Sequence, residues 1–200
     1  MINILIRTSN RPLFFADCIN SIKKQTYKNV NIIVSSDAKD TYCNHLSPIR
    51  VKNEPKKDHK IDTARHFPYN SYLNEMFKHC KPGYVLILDD DDMLSDRRSL
   101  EDIMTEAKDH KTVFWRVRVG DRIVPSSENW KYIVNRDISM IGFAFSTKWL
   151  PLLWIAPYKQ ADYRLALALD GLTRSFWINE VLTETQRREG DGMGLRKDKK

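Results

Sequence analysis

The first thirty-seven residues leave this chain few folds to choose from. Ile2–Ile6 is an apolar run broken only by Asn3, and Arg7-Thr8-Ser9-Asn10-Arg11-Pro12 ends it with polar and turn-forming residues. Phe15, Cys18, Ile19 and Ile22 then recur at i, i+3, i+4 and i+7, the stripe an amphipathic helix buries. Val30–Val34 follows, β-branched everywhere but Asn31 as suits a largely buried strand, and stops in Ser35-Ser36-Asp37. Strand, helix and strand in so short a stretch make a βαβ unit with parallel strands and a right-handed crossover.

The rest of the chain extends that unit. Ile49–Val51 reads as a short strand, and Tyr69, Tyr72, Leu73, Met76, Phe77 and Cys80 sit at helical spacing up to Pro82-Gly83. Tyr84–Leu88 is a third apolar strand that runs straight into Asp89-Asp90-Asp91-Asp92. Ser99 and Asp102 resemble a capping box for a helix burying Leu100, Ile103, Met104 and Ala107. Val113–Val119 and Ile123–Val124 read as a hairpin around Gly120-Asp121. Asp162–Leu169 reads as a helix stopped by Gly171, and Phe176–Thr185 as a late strand. The order predicts one α/β domain over residues 1–186, with a single mixed, mostly parallel sheet flanked by helices. Residues 187–200 are expected to be a basic flexible tail or linker, with room for further domains beyond it.

Charge and cysteines narrow the classes. Lys+Arg 33 against Asp+Glu 26 gives +7, but without the last fourteen residues the remainder carries only +4. No helix-turn-helix, zinc-finger or aromatic RNA-binding signature accompanies that charge, so nucleic acid is not an expected partner. The longest apolar run, Trp149–Ala156, is interrupted by Pro151 and falls far short of the roughly 20 residues that span a bilayer. Cys18, Cys43 and Cys80 form neither a disulfide framework nor a zinc pattern, and a reducing, cytoplasmic setting is expected. Cys18 and Cys80 are read as core residues, as are Trp130, Trp154 and Tyr158.

In open α/β sheets, ligands gather at the carboxyl ends of the strands. Three polar clusters follow strands here: Arg7-Thr8-Ser9, Ser35-Ser36-Asp37 and Asp89 to Asp92. Four consecutive carboxylates repel one another and raise their own pKa values. A divalent cation relieves that conflict, and oxygen ligands suit Mn²⁺ or Mg²⁺. A solvated acidic turn is the plainer alternative.

With those motifs in view, Ile4-Leu5-Ile6-Arg7-Thr8-Ser9-Asn10-Arg11-Pro12 resembles the opening strand of family 2 glycosyltransferases of the GT-A fold. Ser21-Ile22-Lys23-Lys24-Gln25-Thr26-Tyr27 and Asn31–Asp37 continue the likeness, and Tyr84–Asp92 resembles the strand that ends in the family's DXD motif. Asp162-Tyr163-Arg164-Leu165 is similar to a later segment whose usual form is Glu-Asp; here Ala161 stands in place of the glutamate. The resemblance implies a metal-dependent, inverting transfer of a sugar from a UDP-sugar to an acceptor hydroxyl, with a glycan as the acceptor class. It implies Thr8 and Ser9 against the nucleotide, Asp37 accepting from the uracil N–H, and Arg65 on the nucleotide or pyrophosphate. It implies Asp91 as direct ligand of Mn²⁺ or Mg²⁺ with Asp89 assisting, Asp90 at the ribose hydroxyls, and Asp92 behind them or capping a helix. Asp162 is implied as the catalytic base, with Asp170 as runner-up. Arg65 in a surface salt bridge and Asp162 as an ordinary helix carboxylate stand as alternatives. A metal-dependent phosphoesterase and a non-catalytic nucleotide-sugar-binding module also remain open. The chain is short for that family, which fits a catalytic module of a longer protein, a virus-encoded one included.

Overall fold

A computed structural model describes residues 1–37, 40–51 and 67–186, with only the backbone of Asp37, Val51 and Pro68. Arg65 and the basic segment 187–200 therefore lie outside the described residues.

The opening βαβ unit forms as its pattern requires. β1 (Ile2–Thr8) and β2 (Val30–Asp37) pair in parallel, with Ile2 opposite Val30 and Thr8 opposite Ser36, and α1 (Pro12–Lys23) crosses between them. β3 (Ile49–Val51) adds in parallel to β2, and β4 (Tyr84–Ile87) to the other side of β1. The polar ends of β1, β2 and β4 therefore share one edge of the sheet.

Beyond β4 the sheet changes direction. The remaining strands are β5 (Asp92–Leu94), β6 (Thr112–Val119), β7 (Arg122–Val124), β8 (Phe143–Ser146) and β9 (Ser175–Thr185). The order is β3-β2-β1-β4-β8-β6-β9-β5, with β7 on β6. β8 runs antiparallel to both β4 and β6, β9 is parallel to β6, and β5 is antiparallel to β9. The mixed sheet is thus parallel in its β3-β2-β1-β4 half, while antiparallel pairings are confined to the other. The sequence reading had neither β5, which begins with an aspartate, nor β8, which is only four residues long.

Alternation along β1 sorts its side chains between two cores. Ile2, Ile4 and Ile6 face Phe15, Cys18, Ile19 and Ile22 of α1, together with Leu100 and Ile103 of α3 (Ser99–Glu106). Leu5 faces the opposite core with Leu73 and Met76 of α2 (Ser71–Phe77) and Leu165, Ala166 and Leu169 of α4 (Ala161–Leu172). Helices thus cover both faces, each held by apolar area removed from water. Asn3 is fully buried yet satisfied: its amide donates to Lys81 O (2.8 Å) and Tyr84 O (2.9 Å), and its oxygen accepts from Lys81 N and Asn31. The polar break in the first apolar run is a clasp between β1 and the start of β4. Gly83 completes it at φ +152°, where a Cβ would meet Met1 O at 2.3 Å.

Four local readings differ from the structure. The helix around Leu73 is only Ser71–Phe77, preceded by a 3₁₀ turn over Pro68–Asn70. Ser99 is the first residue of α3 rather than its cap; its hydroxyl accepts from Asp96 N, and Gln25 Oε1 accepts from Leu100 N at 2.9 Å. A side chain distant in sequence has taken the capping role. Gly171 lies inside α4, and Trp154 and Tyr158 are exposed rather than core. Cys18 is buried, while Cys80 is half-buried. No helix among the described residues is long and apolar enough to cross a membrane.

Candidate active site

The edge formed by the ends of β1 and β4 opens into a cavity of about 470 Å³. The loop from β1 to α1 lines it with Arg7, Thr8, Ser9, Asn10 and Arg11, and the end of β4 with Asp89 and Asp91. Phe67, Tyr69 and Tyr72 form the third wall, with edge-to-face rings at 6.4 Å and 5.8 Å between successive centroids.

The four aspartates have separate environments. Asp89 forms a two-point pair with Arg7, from Nε at 2.8 Å and Nη2 at 2.5 Å. Arg7 also donates to Tyr69 O and Asn70 Oδ1, tying the aromatic wall to β1. Asp90 is fully buried, accepts from Thr8 Oγ1 at 2.6 Å and from Arg11 Nε at 3.1 Å, and pairs again with Arg11 Nη2. Burial pushes its carboxyl up to about 7, opposed by Arg11 and Thr8 and reinforced by Asp91 and Asp89. Asp91 accepts from Arg11 Nη1 at 2.9 Å. Asp92 turns inward at the start of β5, where burial and the three neighbouring carboxylates raise its pKa well above the ordinary value. Two arginines of the β1 loop thus balance much of the charge concentrated in this run.

Two further braces hold these groups. Asp40 accepts from Asn10 N through both carboxylate oxygens, and the Tyr42 hydroxyl lies 2.7 Å from Thr8 Oγ1 and accepts from Arg11 N at 3.4 Å. Asn10 has φ +49°, so the turn that aims Arg11 depends on that support. Beneath the aspartates, Gln186 Nε2 donates to Phe14 O and Asp90 O, both at 2.9 Å, and to Asp92 O at 3.4 Å, while Gln186 N donates to Asp91 O at 2.7 Å. Arg7 stood in one of the polar clusters read from the sequence, without a role assigned to it; Arg11, Asp40, Tyr42 and Gln186 were given none either. Two arginines flanking Thr8-Ser9-Asn10, set against four aspartates, were the one available signal.

The expected residues distribute unevenly around the cavity. Thr8, Ser9, Asp89 and Asp91 line it; Asp90 is fully buried behind Thr8 and Arg11. The backbone of Asp37 ends β2 on the same edge, opposite Val51. Asp162 begins α4 outside the described lining, and its Oδ1 accepts from Tyr163 N at 2.8 Å. Burial raises the Asp162 pKa above the ordinary value. The chain just before α4 is tied to the aromatic wall, with Asn70 Nδ2 donating to Tyr158 O and Phe67 N to Pro157 O. Asp170, at the far end of α4, is exposed and accepts from Ser175 Oγ at 2.5 Å.

Hard carboxylate oxygens at the cavity rim fit Mn²⁺ or Mg²⁺, since the side chains of Asp89 and Asp91 are 22% and 25% exposed. No group of three or more His, Cys, Asp or Glu side chains among the described residues forms a ready-made metal centre.

A mixed sheet between helices, with an acidic strand end beside the first βα loop, defines the GT-A class of glycosyltransferase folds. The chain belongs to glycosyl transferase family 2, whose model matches residues 3–167. Among solved structures, S. aureus TarS 1-349 in complex with UDP-GlcNAc is 18% identical with a TM-score of 0.70, over 95% of this chain and 59% of that one. TarS 1-349 with UDP gives 16% and 0.71, over 92% and 60%. The mannosyltransferase PcManGT of Pyrobaculum calidifontis, in complex with GDP-Man and Mn²⁺, gives 15% and 0.65, over 94% and 57%. The chain therefore spans less than two thirds of the length of these relatives. No curated protein matches it.

Proposed function

We propose that this chain is a metal-dependent, inverting glycosyltransferase that moves a sugar from a UDP-sugar to an acceptor hydroxyl, with a glycan as the acceptor class. The observation that carries the reading is the cavity where the carboxylates of Asp89 and Asp91 meet the Thr8–Ser9 loop, in a chain of family 2. Asp91, with Asp89, would hold Mn²⁺ or Mg²⁺. Bound there, the ion supplies charge neutralisation at the leaving diphosphate. Thr8 and Ser9 bound the nucleotide, and the aromatic wall of Phe67, Tyr69 and Tyr72 offers ring faces and edges against which a base or sugar ring can pack. Asp37 accepts from the uracil N–H, and Arg65 meets the pyrophosphate. Asp90 serves from behind, fixing Thr8 and Arg11. Asp162 takes the acceptor proton from the face opposite the leaving group, so the anomeric centre inverts without a covalent enzyme intermediate.

Donors linked to UDP, GDP and CDP, each incubated with the protein and acceptor with and without Mn²⁺, test this reading. Release of UDP with inverted glycosidic product, only with metal, is the expected result. Release of the nucleoside monophosphate with sugar 1-phosphate would instead mark a phosphoesterase, and nucleotide binding without sugar release a binding module. Preferential turnover of a GDP-sugar would overturn the uracil role of Asp37.

A further inference from the structure

Every guanidinium contact described for Arg11 goes to the aspartate run: Nε and Nη2 to Asp90, Nη1 to Asp91. The two carboxylates differ in what can reach them. Asp90 is sealed at 0% side-chain exposure, whereas Asp91 stands on the cavity wall at 25%. Arg7 is a different kind of partner, because it also bonds Tyr69 O and Asn70 and so belongs to the framework. Arg11 hangs from the turn braced by Asp40 and Tyr42 and spans the buried and the accessible carboxylate.

We propose that Arg11 is the resident counter-cation of the aspartate run, and that a divalent metal ion takes Asp91 in exchange for it, so that Arg11 sets the metal affinity of the site. The proposal rests on the reading of Asp91 as a metal ligand. An ion entering from the cavity meets Asp91 before Asp90 and repels the guanidinium already there, strongly so in a partly buried site. The Nη1–Asp91 pair breaks, while the bonds from Nε and Nη2 keep the buried Asp90 compensated. Two cations competing for one carboxylate lower each other's affinity by the same factor.

Calorimetric titration of the full chain with Mn²⁺ alone, without nucleotide, separates the exchange from the reading beneath it. R11Q should bind Mn²⁺ about fivefold or more tightly than the wild type, at the low end of the usual coupling between sites. R11K should stay near the wild type, and D91N should lose binding. If D91N abolishes binding but R11Q gains nothing, the exchange is overturned and the metal site stands. Mn²⁺ binding that survives D91N overturns both. Because R11Q removes a partner of buried Asp90 and can fail to fold, the ¹⁵N-labelled wild type gives an independent answer. On titration with Mg²⁺, the Arg11 guanidinium N–H signals should shift and exchange faster with water. Arg11 signals unmoved at saturating Mg²⁺ would rule the exchange out.

Discussion

At the scale of single residues, the two carboxylates of α4 have different environments. Burial holds the Asp162 carboxyl above its ordinary range, and the adjoining Pro157–Tyr158 segment is fastened to the cavity's aromatic wall. Asp170 is spent on Ser175 at the other end of the helix. Asp162→Asn should cut transfer by about 10²–10⁴ and leave UDP affinity within a few-fold, the pattern of a lost general base. Asp170→Asn should change transfer by less than about tenfold, below that range. A base must be ionised to act, so transfer should rise with pH through a pKa above that of a free aspartate. Steady-state kinetics across pH, with circular dichroism on each variant, check both statements. A dead Asp170 variant, or equal losses of UDP binding and turnover at Asp162, would reassign the base.

At the scale of elements, the acidic edge of the sheet depends on segments that do not line its cavity. Gln186, just past β9, bonds three carbonyls around the aspartate run and α1. Gln186→Ala leaves those buried acceptors short of a donor and should destabilise the fold by about 1–3 kcal/mol. It should also weaken Mn²⁺ binding, because the carbonyls of Asp90 and Asp92, on either side of Asp91, lose their donor; unfolding in urea and metal titration read the two effects. The turn after β7 offers a control far from metal chemistry. Asp137 accepts from Ser126 N (2.9 Å), Ser126 Oγ (2.7 Å) and Asn129 Nδ2 (2.7 Å). Burial works to raise its pKa, but these donors win and hold it below the ordinary 3.8. A carboxyl lowered on folding contributes stability above its unfolded pKa and loses that contribution as pH falls through the folded value. Stability should therefore drop in acid below about pH 4, less steeply in Asp137→Ala; identical slopes would remove Asp137 from the acid response. These contacts also mark where sequence reading stops. β1, α1, β2 and β4 were legible because apolar periodicity is local, and Asp89–Asp92 stood out as an uncompensated charge. Arg7 and Arg11 meet those aspartates from about eighty positions away, and Gln186 from nearly a hundred, so spacing could not reveal them. β8 is too short for its alternation to register, and only its pairing between β4 and β6 defines it.

At the scale of the whole molecule, parallel pairing of β2, β1 and β4 brings three polar strand ends to one edge, and the later antiparallel strands close the sheet behind them. This edge is proposed to bind a nucleoside diphosphate through a metal ion on Asp91. Calorimetry of UDP binding, with and without Mn²⁺, on the wild type and on Asp91→Asn tests it most directly. UDP should bind the wild type far more tightly with Mn²⁺ than without. The Asp91→Asn protein, still folded, should show the weak metal-free affinity under both conditions. Mn²⁺-enhanced UDP binding that persists undiminished in Asp91→Asn would contradict the account.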